Sequence, residues 1–158
     1  MKRNILFNQF IKTFLVVLVF ISCQRDDIGN TITGTWTGSG QMQNTNCIEE
    51  AFNETFDADF VMVLEESENG NNTFTGTLTA IIIYEGNTFS GTDYITGRFD
   101  SSNGTFQGDF IGSFGSTTSE GTINGTISGK KLIFSYSGVD TSGDTCKTNG
   151  DNITLIKD

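Results

Sequence analysis

From Thr31 onward, apolar and polar side chains alternate with a period of two, and no stretch repeats apolar residues at helical spacing. The clearest run is Phe56, Ala58, Phe60, Met62 and Leu64, with Asp57, Asp59, Val61 and Val63 between them. The same alternation predicts strands over 31–42, 56–66, 73–84, 88–99, 105–114, 121–128, 131–138 and 151–157, separated by clusters of Gly, Asn, Ser and Asp. Successive sides of a strand face opposite ways. One face therefore collects Phe56, Phe60, Phe74, Leu78, Ile82, Tyr84, Phe89, Asp93, Ile95, Phe99, Phe106, Phe110, Phe114, Leu132, Phe134 and Tyr136.

Eight strands joined by hairpin-length links predict an all-β, antiparallel, up-and-down eight-stranded β-barrel, with a two-sheet β-sandwich as the alternative. Composition favours closure. The chain has no proline with which to blunt an exposed edge strand, and a barrel has no edges. A degenerate apolar-x-Gly repeat points the same way: Phe74-Thr75-Gly76, Phe89-Ser90-Gly91, Phe106-Gln107-Gly108 and Ile123-Asn124-Gly125. Apolar residue and glycine share a face, so each glycine leaves room for a neighbour's ring and lets the strand bend.

Two breaks are longer, 44–55 and 139–150, and each holds one cysteine, Cys47 and Cys146. In a closed meander the link between strands 1 and 2 and the link between strands 7 and 8 leave the same end. Strand 1 then lies beside strand 8. A Cys47–Cys146 disulfide is expected, provided the domain is exported to an oxidising compartment.

Export is what the first residues suggest. Lys2, Arg3 and Lys12 precede an apolar run, Phe14 to Ile21, that is too short to span a bilayer. The sequence Val19-Phe20-Ile21-Ser22-Cys23 resembles the lipobox of bacterial lipoproteins. The resemblance implies a signal peptide over 1–22, acylation of Cys23 with chains such as palmitate, a tether over 23–30 and a domain over 31–158. Gln24, Arg25, Asp26 and Asp27 are similar to the signal that sends some lipoproteins to the cell surface, which implies the outer membrane, facing outward rather than into the periplasm. Two or three acyl chains would hold the protein on a membrane.

Charge narrows the partners. The net charge of −10 becomes −13 once the three basic residues of 1–22 are removed, since that segment holds no acidic residue. So acidic a domain argues against nucleic acid as a partner and is repelled by anionic headgroups. The chain contains no histidine, which removes the usual general base and the Ser-His and Cys-His pairs. No catalytic residue, no cofactor and no metal site is nominated. Asp57 with Asp59, and Asp140, Asp144 and Asp151, fit no calcium-loop spacing and read as solvated charges.

Gly34-Thr35-Trp36 resembles the Gly-x-Trp opening of calycin barrels, the lipocalins and avidins, and Tyr94–Ser101 looks like an avidin-type fourth strand. This implies a lipocalin-like barrel that binds small molecules, with Trp36 packed across one end. Biotin binding is not implied, because avidins use several tryptophans and Trp36 stands alone.

One polar residue interrupts the inward face. Asp93 falls among Phe89, Ile95 and Phe99, at the end where Tyr84 and Tyr136 also emerge. Three polar groups in an aromatic cup suggest a pocket for a small apolar or aromatic ligand, with Phe60 in its wall. The competing expectation is a barrel packed solid, which contacts a protein partner through loops 44–55 and 139–150.

Overall fold

A computed structural model describes residues 30–68, 71–114, 117–142 and 145–158, except for the side chain of Phe114. The apolar segment 1–22, Cys23 and the tether up to residue 29 lie outside the described residues. The chain forms a closed barrel in which eight strands pair in sequence order and β8 returns to β1. The strands are β1 (Gly34–Thr45), β2 (Thr55–Glu66), β3 (Thr73–Tyr84), β4 (Asn87–Asp100), β5 (Thr105–Phe114), β6 (Thr117–Ser128), β7 (Lys131–Asp140) and β8 (Lys147–Lys157). A single 3-10 turn, Glu50–Phe52, lies between β1 and β2, and among the described residues no helix is long and apolar enough to cross a membrane.

The barrel is the expected meander rather than the sandwich, and every neighbouring pair is antiparallel. Its hairpins follow from local chemistry. Glu85 and Gly86 both take positive φ, 50° and 79°, as a two-residue turn matched to strand twist requires. At the opposite end Asp100 accepts hydrogen bonds from the backbone N and the hydroxyl of Ser102, closing the turn into β5.

Several strands run further than the alternation predicts. β1 begins at Gly34 rather than at residue 31 and continues to Thr45. β6 begins at Thr117 rather than 121, β7 reaches Asp140 rather than 138, and β8 begins at Lys147 rather than 151. The two long breaks accordingly shrink to the segment between Thr45 and Thr55 and the segment between Asp140 and Lys147. In β8 an irregularity shifts the register against β7 between Phe134 and Tyr136, with Asn152 at a φ of 53°. That extra residue breaks the period-two pattern and hides the first part of the strand from it.

The interior is a continuous apolar core drawn from all eight strands. Rings sit over glycines: a Cβ on Gly97 would lie 2.7 Å from the Phe74 ring, and one on Gly125 2.7 Å from the Phe106 ring. Both glycines are direct cross-strand partners of the phenylalanines above them. The absent side chain is the space that the partner's ring fills, so the barrel curves tightly without voids.

Trp36 is fully buried at the end where the chain enters. Its indole Nε1 donates to the carbonyl of Ile32 at 3.1 Å, and the Lys157 ammonium lies 5.2 Å from the ring centroid while donating to Thr31 Oγ1. Ile32, expected on a strand, instead precedes β1 as a wholly buried plug. This end is closed.

At the other end Cys47 and Cys146 are joined by a disulfide. Thr45 pairs with Lys147 next to it, so the bridge closes the seam between the first and last strands, where the β1–β8 register also shifts.

Candidate functional site

The strands that close solidly around Trp36 open at their other ends into a cup of about 530 Å³. Phe60, Tyr84, Asp93 and Tyr136 all line it, together with Leu78, Phe110 and the rim residues Phe52, Glu54 and Phe56. Its volume is that of a small-molecule site.

Phe60 forms the floor. It is 1% exposed and packs edge-on to Phe134 and Tyr136, with ring centroids at 5.8 and 6.3 Å. Phe110 meets Tyr136 edge-on at 6.2 Å, and Phe134 stacks on it at 6.0 Å. Such aromatic pairs hold one another rigidly, so the lower wall is preformed.

Tyr136 is held in this aromatic cage 93% buried, and its hydroxyl has no hydrogen-bond partner. Burial, with a further contribution from the charge of Asp93, raises its pKa, so the phenol stays protonated. A buried hydroxyl without a partner costs about 1–3 kcal/mol.

Asp93 is half-buried. Its direct partner on β5 is Gly112, where a Cβ would collide with the carboxylate. The carboxylate accepts a hydrogen bond from Ser119 Oγ at 3.2 Å. Burial raises its pKa above the ordinary carboxylate value, the Ser119 hydrogen bond opposes the rise, and the charge of Asp140 adds to it. Asp93, Gly112, Ser119 and Asp140 are successive cross-strand partners on β4, β5, β6 and β7. They form a polar arc on the inner wall above the aromatic floor.

Tyr84 stands apart from this arc. It lies at the rim, 40% exposed, edge-on to Phe56 at 5.7 Å, and its hydroxyl is engaged with Glu54. The charges of Glu54 and Glu85 raise its pKa. Asp93 is thus bonded to Ser119 and not to either tyrosine.

Asp140, expected from the sequence to be a solvated charge, instead lines the cup, and Ser119 joins it there without having been nominated, although the signal for both is present. Continuing the β6 alternation backward from Ile123 and Gly121 reaches Ser119, and continuing β7 forward from Tyr136 and Gly138 reaches Asp140. Asp57 and Asp59 lie on the outer wall, where they accept hydrogen bonds from Gln41 and Ser39. Among the described residues no group of acidic or sulfur side chains is arranged to hold a metal ion.

Comparison with protein-family models, with curated proteins and with solved structures returns no match for this chain.

Proposed function

We propose that the protein is a lipid-anchored, lipocalin-like binding barrel of the bacterial outer membrane, non-enzymatic, whose cup holds a small apolar or aromatic ligand. The observation that carries this is the cup itself, about 530 Å³ of preformed aromatic-walled space in a barrel size that side chains are able to fill completely. Leaving such space empty gives up packing energy, and ligand binding is a reason to keep it. The anchor is supported by the lipobox-like residues 19–23 and the short basic-then-acidic run after them. Because the chain enters the barrel at the Trp36 end, a tether on Cys23 would leave the cup facing away from the membrane.

The test is saturable binding of an apolar fluorescent dye, read by emission enhancement. Ala80 lies in the cup wall, and Ala80→Trp should fill the space and abolish binding while the barrel remains folded by circular dichroism. Dye binding that survives Ala80→Trp would sink the proposal. For the anchor, Cys23→Ser should stop incorporation of labelled palmitate in a bacterial host.

A second reading, a domain that contacts a protein partner through its mouth loops, is favoured by one observation. Ile48, on the link between β1 and β2, is 71% exposed, and Phe52 beside it is 48% exposed. Partner binding of that kind would persist in Ala80→Trp and vanish in Ile48→Ser.

A further inference from the structure

The charged groups that line the cup have a single sign. Among the described residues the ionisable groups that line it, besides two tyrosines, are Glu54, Asp93 and Asp140, and no Lys or Arg joins them. Asp93 and Asp140 belong to one cross-strand arc, with Ser119 between them. Tyr136, the most deeply set polar side chain of the wall, has a hydroxyl oxygen with no partner. A carboxylate held half-buried beside a second one, next to a buried hydroxyl without a partner, is an arrangement that costs free energy. A cation that also carries hydrogen-bond donors answers both the Asp93 charge and the hydroxyl.

From this we infer that the ligand of the cup is an amine: a cationic ammonium group on an apolar or aromatic body, the ammonium seated against Asp93 and Asp140 and the body against Phe60, Phe110 and Tyr136. The inference rests on the binding-barrel reading and gives it a ligand class. Three chemical features of an ammonium match three features of the wall. Its charge answers the two carboxylates. Its N–H groups can donate to the Tyr136 oxygen without bringing a further negative charge beside Asp93, as a carboxylate ligand would. Its polarised α-carbon hydrogens lie well against aromatic faces, which attract cations. The net −10 of the chain adds a long-range field of the same sign, which draws cations towards the protein and repels anions. Burial, and then the charge of Asp140, raise the pKa of Asp93, and a bound cation would oppose both.

Three probes of one shape separate the possibilities: phenylbutylamine, phenylbutanol and phenylbutyrate, titrated into the purified protein by calorimetry. The amine should bind about tenfold to a hundredfold tighter than the alcohol, the range of one hydrogen-bonded charge contact, and the carboxylate should bind most weakly. Asp93→Asn keeps the shape and can still accept from Ser119, so it should collapse the tightness of the amine relative to the alcohol. Asp140→Asn, nearer the rim, provides the same readout if Asp93→Asn does not fold. Equal binding of amine and alcohol overturns the inference and leaves the binding barrel standing, as does an amine preference that survives both substitutions. Failure of all three probes, together with loss of dye binding, removes the binding reading itself.

Discussion

The two ends of this barrel are made of the same strands and the same device, yet one is solid and the other hollow. Toward Trp36 inward glycines are answered by large side chains: Phe74 over Gly97, Phe106 over Gly125, Leu155 over Gly38. At the mouth the device continues, with Phe110 over Gly121 and Gly138, but several inward positions there are Ser119, Asp93, Gly91 and Thr117. Those residues are too small or too polar to fill the volume the glycines leave. The closed end shows that this sequence can pack a barrel completely. The cup is therefore a local choice of residues and not a failure of the fold.

If the closed end carries the stability, the largest loss should come from Trp36→Ala, roughly 3–5 kcal/mol for truncating a fully buried large aromatic, measured by denaturant unfolding. Phe89→Ala at the mouth, where the ring is 45% exposed, should cost under about 1 kcal/mol. Equal losses would erase the distinction between the two ends. Next in size is the disulfide. Replacing both Cys47 and Cys146 with Ser releases a closure between residues 99 apart in sequence and should destabilise the fold by about 2–5 kcal/mol.

Smaller effects should run in the opposite direction, because the mouth is arranged at some expense to stability. Tyr136→Phe removes a buried hydroxyl without a partner and should raise stability by about 1 kcal/mol while weakening amine binding. Asp93 should give the smallest effect, visible as a pH dependence. Its folded pKa lies above its unfolded one, so the native state holds the proton more tightly. That contribution is fully present below the ordinary carboxylate range and is lost as pH rises through the folded pKa of Asp93. Asp93→Asn should therefore melt higher than the parent at neutral pH, and the two curves should converge below pH of about 4. A parent that gains relative stability with rising pH would contradict the unfavourable burial of this carboxylate.

This contrast also explains what could be read from the sequence. The strands of the closed end are legible because their inward positions are consistently apolar, as at Phe60, Met62 and Leu64, even where Val61 and Val63 face outward. At the mouth the inner wall is itself polar: Asn44, Thr117, Ser119, Asp140 and Thr148 all line the cup. Alternation fades where both faces carry polar residues, so periodicity stops short of the strand ends that carry Ser119 and Asp140. The β8 irregularity has a different cause, an inserted residue that breaks the period. The disulfide is legible because a closed meander brings its two cysteines together and the first residues suggest export, Tyr136 because it continues the inward alternation, and Asp93 because it interrupts it. That Tyr84 is engaged with Glu54 at the rim depends on rotamers, which periodicity does not encode.

The position of the disulfide also sets how the molecule answers mechanical load. Both ends of the described chain emerge beside Trp36, where β1 and β8 run antiparallel to each other. A pull applied between them opens this seam one backbone hydrogen bond at a time, like a zip, which requires little force. The opening travels toward the mouth and stops at Cys47–Cys146, beyond which the chain is a covalent ring that tension cannot lengthen. In a single-molecule pulling trace the oxidised protein should give a short extension, and reductant should release the full contour of the strands between the two cysteines.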